Sequence, residues 1–489
     1  MASLLRNVAV NLSGFLAGKA AAAITGVLLL RALHPESAGI YGAALGFAAL
    51  FQSLADLGLS TCLTKEVGSQ PAQASAWLSR GLAAQVLQSS VAAAALWLFV
   101  RLGGPRSMDP GLMLLAYAVV AMNSLSSPVA AVLQGLERFG LQSGLATAAS
   151  LLNAVALGTL LFLGKAQPLM ALQASLGAAG LGLLVWWGGA WSAKLRLNAV
   201  SAAQLIRLWR QSLPFALVSV TNQLYIRVDQ ALLVYLVGPL PLGLYVAAVK
   251  LVDMMVPVLG ALNGPLYSRL AGLHGRAAEG DLQARDQAWG NLNRALRYMA
   301  LLCLPLGVGG TVLAGTLSRF AFGPEYAGTA PALAFLVWVP ALIGIHGCLL
   351  HGLNAVGKTL RMAQIFAVNL ALNVGLNLWL IPLYGIVASA AISALCEAVN
   401  LMAAWALARR AGLAPSLRAA FWPALPAALG MGLILAGLEP SFRSIAGSEL
   451  WLAPALVLLG ATCYTALLWL LGFLGDDERA QLLRLLKRS

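Results

Sequence analysis

The sequence contains few charged residues for its length. Of its 489 residues, 10% are Asp, Glu, Lys or Arg, and 60% are hydrophobic. Soluble domains typically carry about 25% charged residues, so this composition excludes an ordinary soluble protein. Apolar stretches of about 20 residues, the length that crosses a bilayer as a helix, recur along the chain. The sequence therefore predicts an all-α polytopic membrane protein.

Several chemical signatures are also missing. The five cysteines have neither CxxC nor metal-ligand spacing, so we interpret them as packing residues and expect no metal site. No GxxxxGK[ST] loop is present, which argues against ATP hydrolysis. Because Met1–Arg6 leads directly into a stretch of full span length, we expect no cleavable signal peptide. No outward loop is long enough to carry a catalytic domain, so we expect no enzyme activity and no cofactor.

Acidic residues are scarcer than basic ones, 17 against 31, and the formal net charge is +14. If the N-terminus is cytoplasmic, most Lys and Arg residues fall in cytoplasmic segments. This asymmetry is the one that the positive-inside rule describes. We therefore interpret the positive charge as a determinant of topology, expect no nucleic-acid partner, and predict that both termini are cytoplasmic.

The apolar pattern predicts about 14 transmembrane helices. They lie at 8–33, 38–62, 76–100, 110–134, 142–164, 168–191, 212–236, 242–268, 297–318, 331–354, 360–381, 384–408, 419–438 and 450–474. Turn residues separate several of them, at His34-Pro35-Glu36, Gly103-Gly104-Pro105, Gly238-Pro239 and Pro382-Leu383-Tyr384-Gly385.

An internal repeat is visible at two places. The motif Gly39-Ile-Tyr41-Gly-Ala43-Ala44 recurs as Gly243-Leu-Tyr245-Val-Ala247-Ala248. Farther along, Leu133-Gln-Gly135-Leu136-Glu-Arg-Phe-Gly140 is matched by Leu350-His-Gly352-Leu353-Asn-Ala-Val-Gly357. Six predicted helices separate the copies, an even number, so both copies have the same orientation. The repeat predicts two parallel six-helix lobes followed by two additional helices.

These features give the predicted domain organisation. It comprises an N-terminal lobe at 1–191, a cytoplasmic interfacial elbow at 192–211, a C-terminal lobe at 212–408, two additional transmembrane helices at 409–475 and a basic amphipathic cytoplasmic tail at 476–489.

Motifs along the whole chain carry a family resemblance. The sequence resembles the polysaccharide transporter branch, the Wzx-type flippases, of the multidrug/oligosaccharidyl-lipid/polysaccharide exporter superfamily. The motifs are Phe51-Gln-Ser-Leu-Ala-Asp56-Leu-Gly58 with Thr64-Lys65-Glu66, Arg227-Val-Asp229, Phe322-Gly-Pro-Glu325-Tyr326, and Asn369, Asn373 and Asn377 at a spacing of four before Ile381-Pro382.

The resemblance implies translocation of polyprenyl-pyrophosphate-linked oligosaccharides across a bacterial inner membrane by alternating access of two lobes. It also implies membrane lipid, a polysaccharide polymerase and assembly proteins as partners. Two alternatives stay open, a cation-coupled multidrug antiporter of the same superfamily and a non-transporting scaffold of a polysaccharide assembly complex. Basic rather than acidic residues within the predicted spans argue against the antiporter.

Polar and cationic side chains inside predicted spans are the candidate substrate-binding residues, because such groups usually face a partner or a wet cavity. Lys19 lies deep in the first span, and an Arg or Lys suits the phosphates of a lipid carrier. The alternatives are that Lys19 reaches a membrane interface and that the other charges form a structural ion-pair network. The candidates are Lys19, Gln223, Arg227, Lys250 and Asn373.

Four carboxylates are candidates for ion coupling or ion pairing, namely Asp56, Asp229, Asp253 and Glu397. Lys250 and Asp253 share a helix face and could neutralise each other. Asp56 could instead be a local partner of the following turn, and Glu397 could bond to Ser393 or Asn400. The asparagine stripe either lines a sugar path or joins helices by hydrogen bonds.

Overall fold

The computed structural model consists of helices joined by turns. The structure describes residues 2–105, 107–256, 281–446 and 449–473, together with 259, 266, 270, 272–274 and 276. Within these residues, nine helical stretches are long and apolar enough to cross a membrane. The predicted all-α membrane class is confirmed. The count of 14 spans stays a prediction, and the predicted tail at 476–489 lies outside the described residues.

The helices follow one another with short connections. They are α1 (Ala2–Asp56), α2 (Leu59–Ser69), α3 (Ala74–Leu102), α4 (Pro110–Ser124), α5 (Ser127–Gly135), α6 (Phe139–Phe162), α7 (Pro168–Ser192), α8 (Ala202–Leu236), α9 (Pro239–Asp253), α10 (Leu282–Val312), α11 (Ala314–Phe322), α12 (Ala330–Leu336), α13 (Trp338–Ala355), α14 (Thr359–Arg410), α15 (Leu417–Ala446) and α16 (Glu449–Leu470), with short 3₁₀ turns at Pro71–Gln73 and Pro324–Thr329.

The chain forms two compact units. One comprises Met1–Lys250 with Asn377–Ile386, and the other comprises Leu251–Leu376 with Val387–Ser489. The first unit has a buried core that includes Leu63, Leu78 and Leu133. The second has a separate core that includes Leu296 and Leu349. The predicted lobe boundaries at 191 and 212 stay predictions.

Three predicted turns are confirmed by the backbone. His34 interrupts α1 with φ 60°, Gly238 separates α8 from α9 with φ 88°, and Gly385 interrupts α14 with φ 58°. Each residue lies beside or close to a proline, which removes a helical N–H donor. Local chemistry therefore sets these boundaries.

The predicted helix at 38–62 is wrong in one respect, because it is broken near its end. The chain takes positive φ values at Leu57 (44°) and Gly58 (70°) before α2 begins. A Cβ atom on Gly58 would lie 2.6 Å from the carbonyl carbon of Phe215 in α8. The break is a consequence of this close approach of two backbones, which the apolar pattern does not encode.

The segment between α7 and α8 binds to α3. Its residues 195–200 are not helical, and two of its amides donate to hydroxyls on α3, Arg196 to Ser75 (3.1 Å) and Asn198 to Ser79 (2.8 Å). Ser201 then starts α8 through a capping box with Gln204. The predicted elbow at 192–211 is therefore partly extended, and its helical part continues into α8.

The first pair of repeated motifs forms a close helix crossing. A Cβ atom on Gly39 would lie 1.8 Å from the carbonyl oxygen of Pro239, and one on Gly243 would lie 1.7 Å from that of Pro35. The two contacts are equivalent in the repeat, since residue 35 corresponds to residue 239 and residue 39 to residue 243, each pair 204 positions apart. The two copies thus meet through equivalent backbone atoms, which only glycine permits at this distance.

The second pair of motifs is offset in the structure. The amides after α5 bond as Glu137 to Gln134 and Arg138 to Leu133, and those after α13 bond as Gly357 to Asn354 and Lys358 to Leu353. These helix ends are 220 residues apart (135 to 355), whereas aligning the two motifs by residue identity gives a separation of 217 (133 to 350). The predicted register of this pair is therefore wrong by three residues. Sequence similarity aligns residues that are not equivalent when the two helix ends are superimposed.

Candidate functional site

The ammonium group of Lys250 on α9 lies against Gly26 on α1. A Cβ atom on Gly26 would be 2.4 Å from Lys250 Cε and 2.6 Å from its Nζ. The half-buried lysine therefore occupies space that exists because residue 26 has no side chain. A charge held between apolar helices is costly unless polar groups or water solvate it, so this position is a candidate binding site.

Lys19 belongs to the same side of α1. It precedes Gly26 by seven residues, which places the two positions on one helix face about 10 Å apart along the axis. The Lys19 side chain is exposed. Two cationic groups thus lie along one face of α1, one carried by α1 and one supplied by α9.

A second polar stripe runs along α8. Gln223, Arg227 and Gln230 follow a spacing of four and three residues and share a helix face. The Gln230 Oε1 atom lies 3.5 Å from a Cβ atom built on Gly46. Gln223 is exposed and Arg227 is half-buried. The stripe therefore faces the part of α1 that follows His34.

The two stripes are equivalent in the repeat. Gly26 corresponds to Gln230 and Gly46 to Lys250, each pair separated by 204 residues. The same contact is formed twice, Gly26 with Lys250 and Gly46 with Gln230. The backbone arrangement is symmetric, but its chemistry is not, because one contact brings a cation and the other a neutral amide.

Asp229 has buried partners of its own. Its carboxylate accepts hydrogen bonds from the Tyr245 hydroxyl on α9 and, at 2.7 Å, from the Gln230 amide. Asp229 is 8% exposed and Tyr245 is fully buried. The ion pairs among the described residues do not include Arg227. Asp229 therefore joins α8 to α9 through the Tyr245 hydroxyl.

Replacing Tyr245 with phenylalanine should destabilise the protein. The change leaves a buried carboxylate without its hydroxyl donor, which costs about 1–3 kcal/mol. We expect a lower midpoint of thermal unfolding in detergent. Tyr235→Phe is the matched control, because the Tyr235 hydroxyl donates to Gly103 from a side chain that is 45% exposed. An equal midpoint shift for both variants would contradict the structural role of Asp229.

The remaining candidates in the first half of the chain differ in environment. Asp56 is half-buried at the end of α1 and accepts a hydrogen bond from the Ser60 hydroxyl (3.4 Å), as the local-partner alternative predicts. Asp253 is exposed at the end of α9. Asp56 therefore links the end of α1 to the first turn of α2 across the break between them.

A buried polar cluster links α13 and α14 in the second unit. Asn369 donates to Asn400 (2.8 Å), and Asn400 donates to the Glu397 carboxylate (3.4 Å). His346 Nδ1 lies 3.4 Å from the same carboxylate. Asn373 is 3% exposed and donates to the Cys396 sulfur (3.7 Å). These contacts favour the helix-joining alternative for the asparagine stripe, and they give Glu397 two polar neighbours.

One polar network has no counterpart among the predicted site residues. Gln52 donates to Ser89 (3.1 Å) and accepts from the Tyr117 hydroxyl (2.9 Å), which links α1, α3 and α4. Gln85 donates to Ser89 (3.2 Å). Both the amide nitrogen and the amide oxygen of the Gln88 side chain are buried and have no hydrogen-bond partner among the described residues. Glutamines at 85 and 88 within one apolar stretch were the available sequence signal.

Comparison with known proteins places the chain in a family. Residues 4–270 match the family described as polysaccharide biosynthesis protein, which is more than half of the chain. The chain belongs to this family. No curated protein matches the chain in sequence.

Solved structures of other proteins have a fold similar to that of this chain. The lipid II flippase MurJ in an inward closed conformation has a TM-score of 0.76 and 12% identity, over 94% of this chain and 97% of that one. An inward-facing multidrug resistance MATE family transporter of the MOP superfamily has a TM-score of 0.58 and 13% identity, over 81% and 96%.

A third structure is a MOP superfamily transporter from Pyrococcus furiosus described as having a binding pocket of reverse polarity. It has a TM-score of 0.56 and 13% identity, over 84% of this chain and 96% of that one. At these identities the likeness concerns the fold. The predicted resemblance to a polysaccharide transporter branch is confirmed at the level of family and fold.

Proposed function

We propose that this protein is a flippase that moves a polyprenyl-pyrophosphate-linked oligosaccharide across the bacterial inner membrane by alternating access. The observation that carries the proposal is the Lys250 ammonium held against Gly26, on the face of α1 that also bears Lys19. A pyrophosphate entering the bilayer region loses its hydration. Fixed cations and amide groups can replace that hydration.

Each candidate residue has a chemical role in this proposal. Lys250 and Lys19 attract the pyrophosphate as point charges, and Arg227 binds one phosphate through two parallel N–H donors. Gln223 donates to and accepts from sugar hydroxyls. The polyprenyl tail stays among the lipids, so only the polar head group has to pass between the helices.

The driving force is assigned to the second unit. We propose that Glu397, with His346 and Asn400 around its carboxylate, is the group that couples the cycle to an ion. A carboxylate inside the membrane is by default a functional candidate.

The proposal is tested by depleting the protein in its host and extracting polyprenyl-linked sugars. Their sidedness is scored with an impermeant glycan-modifying enzyme on oriented vesicles. We expect complete lipid-linked oligosaccharides to accumulate on the cytoplasmic face. An unchanged distribution in depleted cells would contradict the flippase and favour the multidrug antiporter or scaffold, which drug-accumulation assays then separate.

A further inference from the structure

A polar cavity lies between α2 and α5, away from the Gly26–Lys250 contact. Its volume is about 450 Å³. Two alanines form its apolar lining, and its polar side chains are Ser60, Thr61, Thr64, Lys65, Ser127 and Gln134. All of its lining residues lie on α2 and α5, beyond the break that ends α1 at Asp56. The cavity is therefore distinct from the cationic face of α1.

Part of this lining is committed to the protein. The Ser60 hydroxyl donates to Asp56 (3.4 Å), and the Thr64 hydroxyl donates to the carbonyl oxygens of Ser60 (3.0 Å) and Ala131 (3.3 Å). These bonds fix the cavity wall, because Thr64 on α2 is thereby joined to α5. Because both hydroxyls already donate, they can serve a ligand only as acceptors.

Other lining groups keep their hydrogen-bonding capacity. Within the described residues, the side chains of Thr61, Ser127 and Gln134 take part in no hydrogen bond with protein. Two hydroxyls and one amide together offer donors and acceptors on both walls of the cavity. Such a mixed set suits a ligand that carries several hydroxyl groups.

Lys65 gives the cavity its positive charge. Its ammonium lies 5.9 Å from the centre of the Phe215 ring, and the ion pairs of the described residues do not include it. The aromatic face holds the ammonium by a cation–π interaction without neutralising it. The ligand that completes this site is therefore anionic as well as hydroxylated.

The cavity volume sets the size of the ligand. About 450 Å³ corresponds to the space of about 15 water molecules and falls within the range of small-molecule sites, about 300–1,000 Å³. A single ion would leave most of this space to water. A monosaccharide that carries one phosphate is small enough to enter it and could use both the cation and the free hydroxyl and amide groups.

We infer that the cavity between α2 and α5 is a second substrate subsite that binds a sugar phosphate. This inference rests on the proposed flippase function, since the sugar phosphate is then part of the lipid-linked head group. The positive-inside pattern predicts that this end of the bundle is cytoplasmic. The subsite would thus engage the head group before it reaches Lys19 and Lys250.

The test uses the full-length protein in nanodiscs and glucose 1-phosphate as the probe. Binding is followed by the thermal unfolding midpoint and by titration of tryptophan fluorescence. We expect saturable binding that weakens about tenfold or more in Lys65→Gln, because one charge-assisted hydrogen bond is lost. Gln134→Leu should weaken it as well, and Lys358→Gln, a cation outside the cavity, should not.

Three comparison ligands show which chemical group of the probe is recognised. Glucose, inorganic phosphate and nanodiscs enriched in phosphatidylglycerol are compared with the probe. Binding of glucose 1-phosphate above all three supports the inference. No binding, equal binding of phosphate alone, displacement by phosphatidylglycerol or an unchanged affinity in Lys65→Gln overturns it.

The outcome is separable from that of the proposed function. If the probe does not bind but depletion still traps lipid-linked sugars on the cytoplasmic face, the subsite fails and the flippase stands. If the probe binds through Lys65 while the lipid-linked sugars keep their normal distribution, the subsite stands as a sugar-phosphate site and the flippase fails.

Discussion

Replacing Lys250 with glutamine is expected to slow translocation of the lipid-linked head group about ten- to a hundredfold. A hydrogen bond to a charged group contributes about 1.5–3 kcal/mol, and about 1.4 kcal/mol corresponds to a factor of ten. The ammonium lies against Gly26, so its loss removes a cation from the predicted phosphate path. The amount of protein in the membrane should stay unchanged, because glutamine is still polar and similar in length.

A second variant separates the charge from its position. Gly26→Ala leaves Lys250 in place, but the new methyl group would lie 2.4 Å from Lys250 Cε, so the flexible side chain must move. We expect slower translocation with normal stability. The matched controls are Lys358→Gln and Gly144→Ala, whose new Cβ would have no neighbouring atom within 4 Å in the part of the chain that the structure describes. Wild-type rates in both Lys250→Gln and Gly26→Ala would contradict the phosphate-binding role.

Replacing Gly39 with alanine is expected to disrupt the helix crossing between the two repeat motifs. The added Cβ would lie 1.8 Å from the Pro239 carbonyl oxygen and 2.9 Å from the Gly243 nitrogen. Both are backbone atoms, so the helices themselves must separate. Overpacking of this kind costs about 1–3 kcal/mol or more, and for a chain of this length we expect the thermal unfolding midpoint in detergent to fall by about 1–3 °C or more.

The controls for this prediction come from the same chain. Gly42→Ala would place its Cβ 2.9 Å from a methyl group of Val246, a side-chain atom that can shift, so we expect a smaller effect. The new Cβ of Gly180→Ala would meet no described atom within 4 Å, so this variant should not lower the midpoint. If Gly39→Ala is as stable as Gly180→Ala, the close backbone approach is not a feature of the native protein.

The features that sequence predicted well are those with local causes. The helix interruptions at His34 and Gly385 follow from adjacent or nearby prolines and from residues that adopt positive φ. The membrane class follows from the long apolar stretches, which need no tertiary information. The first repeat motif was also visible, because its glycines form a contact that other residues cannot make.

The features that sequence did not predict depend on contacts between distant residues. The break before α2 arises where Gly58 meets Phe215. Asp229 is paired with Tyr245, and sequence spacing alone did not reveal this partner. The cavity beside Lys65 also required the structure, because its two walls come from helices that are separate in the chain.

The central claim is that the protein translocates a lipid-linked oligosaccharide through the cationic face of α1. It is tested most directly with purified protein in liposomes that contain a polyprenyl-pyrophosphate-linked oligosaccharide, with an impermeant glycan-modifying enzyme reporting outward exposure. We predict rapid, complete modification with wild-type protein and modification slowed about tenfold or more with Lys250→Gln. Equal modification in wild-type and protein-free liposomes, or equal rates for wild type and Lys250→Gln, would contradict the claim.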